Sequence, residues 1–289
     1  MKCLCALSLC FLLYGCVPMP EEALKDMSPL SQANDSPYAE LDPGYKNYES
    51  AHFLVKAYTT EIAVAHSVVC EQSYSRVMGD LGLYSFAPAK PYNVVVYRDA
   101  GEFVKKTGQP RWAGGVAYGN AILVYESEGS AAILAHEMTH LIFNEFMGLN
   151  NSADSRWVNE GVAVYEENRA SAASRAAYSR RLIALVAPNP IPFSQFINLA
   201  PQSISDDAAV RESGATPASG TNAAIERWYA QAGSVAAFML KEGGTLGFSI
   251  FISRLKAGDT PDAAVGAAFP GLWRNMSEIE RAWLLFIKG

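Results

Sequence analysis

The body of this chain has almost no cysteine. The 289 residues include five cysteines, and four of them lie within the first sixteen positions, so that only Cys70 falls in the body. One thiol has no partner in the same chain, which excludes an internal disulfide framework. Cys70 sits in an apolar stretch of helical periodicity, and this predicts a buried thiol rather than a reactive one.

The chain also lacks an excess of positive charge. Lys and Arg number 23 against 29 Asp and Glu, which gives a formal net charge of −6. Because no basic stripe is present to neutralise phosphates, we expect no nucleic-acid partner. Half of the residues are hydrophobic. Such a chain can bury a sizeable core, and its length predicts one main domain or one domain with a helical extension.

The apolar run at the N-terminus is too short to cross a membrane as a helix. It extends from Cys3 to Tyr14 behind Lys2, and this predicts a signal peptide over residues 1–16. The run ends in Gly15-Cys16, which resembles the lipobox of bacterial lipoproteins and implies lipidation of Cys16. The alternative is an ordinary signal peptide cut nearby. Both predict an extracytoplasmic protein, either membrane-anchored through the lipid or secreted.

The remaining sequence predicts an α+β fold with a small mixed sheet and a mainly helical second half. Residues 17–45 are rich in Pro, Ser and acidic residues, which predicts a flexible tether or a ragged N-terminus. A loop as long as 187–221 is typical of a lid, a binding loop or a disordered segment. We predict a sheet region over 50–125, with strands at 52–58, 92–97 and 121–125. Active-site helices follow over 130–186, and one of them covers 158–186. The helical half 222–289 has predicted helices at 222–242, 244–257 and 275–287.

The strongest motif is His136-Glu137-Met138-Thr139-His140. Residues four apart lie on one face of a helix, so the two imidazoles can bind one metal ion. The flanking positions are apolar, which predicts a buried helix, and buried polar groups require partners. A catalytic zinc site normally has three protein ligands, and the Glu after the first His is then placed to act as general base.

A second motif supplies a candidate third ligand. Trp157-Val158-Asn159-Glu160-Gly161 follows, with Glu160 twenty positions after His140. Together the two motifs resemble the gluzincin zinc metallopeptidases, and the best match is the peptidase-MA-like group of bacterial extracytoplasmic proteins. The resemblance covers about residues 50–289 and is specific only around 136–163. It implies a thermolysin-like catalytic domain, one zinc ion held by His136, His140 and Glu160, Glu137 as general base, and a peptide or protein substrate.

Further residues are candidates by the same resemblance. Tyr229, sixty-nine positions after Glu160, is the candidate donor to the oxyanion, with Tyr165 as a weaker alternative. In gluzincins a strand at the edge of the sheet pairs with the substrate backbone. We predict that strand 121–125 takes this role, with Gly115, Ala121 and Ile122 binding substrate.

The sequence departs from the family at Val164, four positions after the third ligand, where an acidic residue often orients a metal-bound histidine. The motif that anchors a free substrate N-terminus in zinc aminopeptidases is also missing upstream of His136, which leaves endo- or exo-cleavage open. Two alternatives to a peptidase also stay open. One is a binding or scaffold lipoprotein that keeps the fold, and the other is a zinc amidase acting on peptidoglycan peptides.

Overall fold

A mixed sheet is built by the first part of the chain. The computed structural model describes residues 39–110, 113–148, 155–199 and 219–288, with the side chains of the last range from 223 onward. The strand order across the sheet is β1-β2-β3-β5-β4. The inner strands β2, β3 and β5 run parallel, while β1 and β4 pair antiparallel at the two edges. The strands are β1 (Lys46–Glu49), β2 (Phe53–Ala57), β3 (Tyr92–Tyr97), β4 (Gly115–Tyr118) and β5 (Ala121–Tyr125).

Apolar side chains of alternate residues cover the two faces of the sheet. Val94 and Val96 of β3 point into the larger core, whereas Val95 and Tyr97 point into a smaller core on the opposite face. This alternation follows from the two-residue period of a strand. A strand that is buried on both faces has a nearly continuous apolar sequence rich in β-branched residues, as Tyr92–Tyr97 has.

Three helices connect or follow the strands. Helix α1 (Thr60–Leu81) joins β2 to β3, and it begins where the Thr59 side chain accepts a hydrogen bond from Ile62 N. Helix α2 (Ala100–Thr107) covers the smaller core and is capped by Asp99. Helix α3 (Ser130–Met147) follows β5, and every residue from 133 to 143 is buried. The prediction of a buried helix around the first motif is therefore confirmed.

The rest of the described chain is helical, which confirms the α+β class. A long helix bends at Gly244, where φ is 73°, close to the predicted break between 242 and 244. The elements are α4 (Arg156–Arg169), α5 (Ala172–Arg181), a π-helical turn (Leu182–Val186), α6 (Phe193–Phe196), α7 (Ser219–Lys256), α8 (Pro261–Ala268) and α9 (Met276–Phe286).

Several predicted boundaries need correction. The helix predicted over 158–186 is interrupted after Arg169, because Ser171 adopts an extended conformation and caps α5. The described part of loop 187–221 contains α6 and is hydrogen-bonded to α7. Ile191 N donates to Gln231 Oε1, and Gln231 Nε2 donates to Ile191 O. Helix α8 was missing from the prediction, although Thr260 caps it and Pro261 occupies its first turn.

The predicted tether is too long at its C-terminal end. Leu41 is buried, and Ala39 N donates to Lys106 O at 3.1 Å. Lys106 Nζ reaches the Glu40 carbonyl and the Asp42 carboxylate. Residues 39–45 therefore belong to the folded domain, and the sheet begins at Lys46 rather than 50. The predicted signal peptide 1–16, Cys16 and most of the predicted tether lie outside the described residues.

One described helix has the length and composition of a membrane span. It covers Ala223–Lys256 within α7. Several of its apolar residues belong to the core of the domain, because Trp228, Val235 and Phe248 are fully buried against neighbouring elements. Packing in the core accounts for the apolar character of only part of this helix, because Leu246 on the same helix is 75% exposed.

Candidate metal centre

Helix α3 carries His136, Glu137 and His140, the three polar residues of the first motif that are candidates for the site. The imidazole rings of His136 and His140 lie one turn apart, with centroids 4.8 Å apart and an interplanar angle of 79°. Both residues are buried, as is Glu137 between them. The helical spacing of four residues therefore places both rings on one face, as the sequence predicts.

Glu160 completes the group from the neighbouring helix α4. Its Oε2 atom lies 3.4 Å from His140 Nε2 and 3.9 Å from His136 Nε2. One ligand atom from each of the three residues lies within 4.8 Å of the other two. The predicted ligands thus converge from two helices, and they are close enough to hold a metal ion.

The facing atoms of this group are suited to a cation. His136 Nε2 and Glu160 Oε2 are buried and have no hydrogen-bond partner within the part of the chain that the structure describes. An unpaired polar atom in the interior is costly, and a metal ion would partner both atoms at once. Two imidazoles and a carboxylate are also a donor set that divalent zinc accepts.

The other ring nitrogen of each histidine has its own partner. His136 Nδ1 lies 3.0 Å from Glu167 Oε2, and His140 Nδ1 lies 2.9 Å from Asn159 Oδ1. Asn159 Nδ2 donates in turn to Asn144 Oδ1 at 2.9 Å. Such contacts fix the tautomer and orientation of a ligating imidazole, leaving Nε2 directed at the metal position.

Sequence reasoning assigned no role to Glu167 or Asn159. The position at which the family often carries the orienting carboxylate, four residues after Glu160, is Val164 in this chain. Asn159 adjoins Glu160, and Glu167 follows it by seven residues, which is close to two helical turns and returns to the same face. The seven-residue spacing is therefore the signal that would have found Glu167.

The electrostatics of the site favour positive charge. Burial by itself lowers the pKa of the His136 ring, because it penalises the charged form. The hydrogen bond to Glu167 and the charges of Glu167, Glu137 and Glu160 outweigh burial and raise this pKa to about 9. In the metal-free protein a proton on His136 therefore partly balances the carboxylates, and a cation can take its place.

The predicted general base contacts the edge strand. Ala117 N donates to Glu137 Oε2 at 2.8 Å. A Cβ atom on Gly115 would lie 2.5 Å from Ile133 Cγ2 and 3.5 Å from Glu137 Cγ. Only a glycine at 115 lets β4 approach α3 so closely, and this approach brings the strand beside the base.

The prediction that 121–125 is the edge strand is wrong. That segment is β5, and it is paired on both sides: Ala121 with Asn93 and Tyr118, and Ile122 with Val94 and Ala117. Their backbone groups are therefore not available to a substrate. The edge strand next to the site is β4, which begins at Gly115. Strand order across a sheet depends on non-local pairing, which periodicity alone does not show.

The two candidate tyrosines lie in different surroundings. Tyr229 is one turn before Ala232 on α7. The Ala232 carbonyl oxygen would lie 2.6 Å from a Cβ atom added to Gly161, the residue after Glu160. Tyr229 thus lies on the side of α7 that packs on α4 near Glu160, and its hydroxyl is buried. Tyr165 instead accepts a hydrogen bond from Arg169, whose guanidinium also lies over its ring.

Comparison with models of known protein families gives no match, and comparison with curated protein sequences gives none either. The likeness to gluzincins therefore rests on the residues of the two motifs. The cluster that can hold a metal ion rests on the geometry of His136, His140 and Glu160.

Proposed function

We propose that this protein is a zinc-dependent peptide-bond hydrolase of the gluzincin type. The observation that carries the proposal is the convergence of His136, His140 and Glu160 on one buried point, with Glu137 on the same helix turn. A binder that only holds metal has no need of a carboxylate at position 137. An intact general base beside three ligands supports hydrolysis.

The proposed metal is zinc, one ion per chain. His136, His140 and Glu160 would hold it, and three protein ligands are the number found at catalytic zinc sites. Bound there, zinc would supply a Lewis acid that polarises the scissile carbonyl and lowers the pKa of water toward neutrality. Other divalent ions accept the same ligands, so the identity of the metal is part of the proposal.

Glu137 is the proposed general base. It takes a proton from the attacking water and passes it to the leaving amine. The backbone N–H of Ala117 holds one of its carboxylate oxygens at 2.8 Å. That hydrogen bond fixes the carboxylate beside the edge strand, where the peptide bond would lie.

The proposed substrate is an extended peptide lying along β4. In an antiparallel strand the N–H and C=O of alternate residues face the same side. Ala117 N points away from β5 and donates to Glu137, so the backbone of Gly115 and the Ala117 carbonyl face the same outer edge of β4. An added strand there would be β-augmentation. Gly115 keeps its proposed substrate role, while Ala121 and Ile122 lose theirs.

Tyr229 is proposed to donate a hydrogen bond to the oxyanion of the tetrahedral intermediate. Its place on α7, one turn from the contact with Gly161, supports this role. A positioned donor of this kind typically contributes about a hundredfold or more to the rate of acyl transfer.

We also propose that the enzyme works outside the cytoplasm, tethered by a lipid on Cys16. The support is the signal-peptide and lipobox-like sequence at 1–16. Incorporation of a labelled fatty acid, lost in Cys16→Ser, tests the anchor. Equal labelling of both proteins would refute it.

Metal content and turnover of three purified proteins test the catalytic proposal. We expect about one zinc per chain in the wild type by mass spectrometry, and little in Glu160→Ala, because a three-ligand site loses one ligand. Glu137→Gln should keep its zinc but hydrolyse fluorogenic peptides at least about a hundredfold more slowly, since it lacks the base.

Glu242→Ala is the matched control. Glu242 is an exposed carboxylate on α7 beside Lys241, and its loss should change neither quantity. Absence of zinc from the wild type, with none taken up on addition, would overturn the proposal. Bound zinc without turnover of any peptide would favour the scaffold alternative, and cleavage confined to cell-wall peptides would favour the amidase.

A further inference from the structure

We propose that helix α5 and the turn after it form a docking surface for an anionic membrane. The surface consists of Arg175 and Arg180 with the apolar residues Ala176 and Ile183, and we call it the α5 surface. The inference goes beyond the proposed catalysis, since none of these residues belongs to the metal centre. It concerns how the domain would lie on the membrane to which Cys16 is proposed to tether it.

The region around α5 carries positive charge only. No Asp or Glu occurs from residue 168 to residue 205, although the whole chain has a net charge of −6. Helix α5 contains Arg175, Arg180 and Arg181, and none of the three forms an ion pair with another described residue. Their charges are therefore available to an anionic partner.

Contacts on one side of α5 determine which side is exposed. The Tyr178 hydroxyl donates a hydrogen bond to the Ala230 carbonyl of α7 at 3.1 Å. A Cβ atom added to Gly233 would lie 3.4 Å from Tyr178 Cε2, so the ring packs on the same helix. Val186, at the end of the π-helical turn, is buried, whereas α5 itself has no buried residue. The helix is thus held from one side, and its other side is exposed.

The exposed side of α5 combines an apolar centre with a basic border. Successive helical residues are rotated by about 100°, so Arg175 and Arg180 lie about 140° apart around the axis. Ala176 lies between them in direction, and Ile183 follows about two turns later in nearly the same direction. Ile183 is 70% exposed. Arginine stems can lie along apolar surface while their guanidinium groups reach polar groups beside it.

This arrangement favours a lipid surface over a soluble anion. A helix that lies at a membrane interface inserts its apolar residues at the level of the headgroups and directs Lys and Arg to anionic headgroups. An acidic polypeptide would use Arg175 and Arg180 but has no use for an exposed Ile183. A nucleic acid is disfavoured by the negative charge of the chain as a whole.

The length of the chain before the domain allows the α5 surface to reach the bilayer. Residues 17–38 separate Cys16 from Ala39, the first described residue. A chain of that length spans at most about 80 Å, so a lipid on Cys16 would keep the domain close to the membrane. Docking of α5 then becomes an intramolecular event, in which a weak contact suffices. Stable anchoring of a lipidated protein also typically requires a second signal, such as a basic patch.

Hydrogen exchange on vesicles tests the α5 surface. The full chain is bound to vesicles of phosphatidylcholine alone, or of phosphatidylcholine mixed with phosphatidylglycerol, and amide exchange of residues 172–186 is measured by mass spectrometry. We expect slower exchange on the anionic vesicles, by up to about 25-fold, since each of two arginines beside an anionic surface contributes about fivefold. Added salt should reduce this protection, because it screens the charges.

Substitutions separate the charges from the apolar centre. Arg175→Gln combined with Arg180→Gln should abolish the extra protection on anionic vesicles. Ile183→Ser keeps both charges and should reduce the protection, because the apolar contact is lost. Lys46→Gln combined with Lys90→Gln is the matched control. It removes the same number of charges from exposed lysines near the sheet, and it should keep the protection of the wild type.

Three outcomes would overturn the proposal. The first is equal exchange of residues 172–186 on the two kinds of vesicle. The second is an equal loss of protection in the arginine and lysine variants, which would indicate net charge rather than a defined surface. The third is protection by soluble polyglutamate on neutral vesicles, since the partner would then be an acidic polypeptide. Flotation with neutral vesicles tests the anchor at Cys16 separately: a chain that fails to float with them lacks the anchor, yet anionic vesicles would still protect α5.

Discussion

The sides of α4 differ in what their side chains contact. One side faces α3 and carries Asn159, Glu160 and Glu167, all directed at the two histidines. The other sides face α1 and α7, where Glu166 meets Arg76 and Gly161 meets the backbone of Ala232. Some residues of α4 thus belong to the cluster that can hold a metal ion, while their neighbours anchor the helix to α1 and α7.

This division explains how α4 stays packed in the domain although it carries buried polar atoms that have no hydrogen-bond partner among the described residues. The ligand side leaves buried atoms of His136 and Glu160 without hydrogen-bond partners among the described residues, which is unfavourable in the metal-free protein. The anchoring sides contribute close packing and a buried ion pair, which stabilise the helix independently of the metal. Variants on each side should therefore separate stability from metal affinity.

The largest expected effect comes from breaking the buried ion pair. Arg76→Met removes the closer cation of Glu166, whose side chain is 0% exposed and then keeps only the longer ion pair with Arg169 at 3.8 Å. We expect a loss of about 3–5 kcal/mol in the free energy of unfolding, measured by urea denaturation of the metal-free protein. Burial also raises the pKa of Glu166 despite the nearby arginine.

The double variant Arg76→Met with Glu166→Leu is the control for that measurement. Replacing both partners with apolar groups removes the buried, poorly compensated carboxylate, so the double variant should be clearly more stable than Arg76→Met alone. Equal stability of the two proteins would show that Arg76 does not act through Glu166.

A smaller effect is expected where α4 meets α7. A Cβ atom at Gly161 would lie 2.6 Å from the Ala232 carbonyl oxygen, which is backbone and cannot rotate away. We expect Gly161→Ala to cost about 1–3 kcal/mol of unfolding free energy by overpacking. Gly79→Ala is the matched control, because Gly79 is also helical but has open space around its Cβ position. It should stabilise by up to about 1 kcal/mol through helix propensity. Equal changes at the two positions would contradict close packing at Gly161.

Residues whose roles follow from local spacing could be predicted from the sequence. His136 and His140 are four apart on one helix, and Glu160 belongs to a compact second motif, so all three were found. Glu167 was missed because its contact depends on how α3 and α4 cross. The edge strand was misassigned for a similar reason, since the place of β4 beside β5 depends on pairing across the sheet. The break after Arg169 depends on a cap at Ser171 that interrupts a continuous helical pattern.

The smallest expected effect concerns a single proton on His136 of α3, the ring that faces Glu160 and Glu167 of α4. The pKa of His136 is raised to about 9 in the metal-free protein, so at roughly pH 7.5 the ring carries a proton, which must leave before Nε2 can bind zinc. Zinc affinity should therefore rise with pH below 9, by up to about tenfold per pH unit from this group. Calorimetric titration in buffers of different ionisation enthalpy measures the protons released.

Variants of the two partner residues sharpen this last prediction. Glu167 contributes both a hydrogen bond and a charge to the raised pKa of His136, so Glu167→Gln should lower it and release fewer protons on zinc binding. Asn159 is uncharged, so Asn159→Ala should weaken zinc binding without changing the contribution of His136. If both variants released as many protons as the wild type, the carboxylate of Glu167 would not be what keeps His136 protonated.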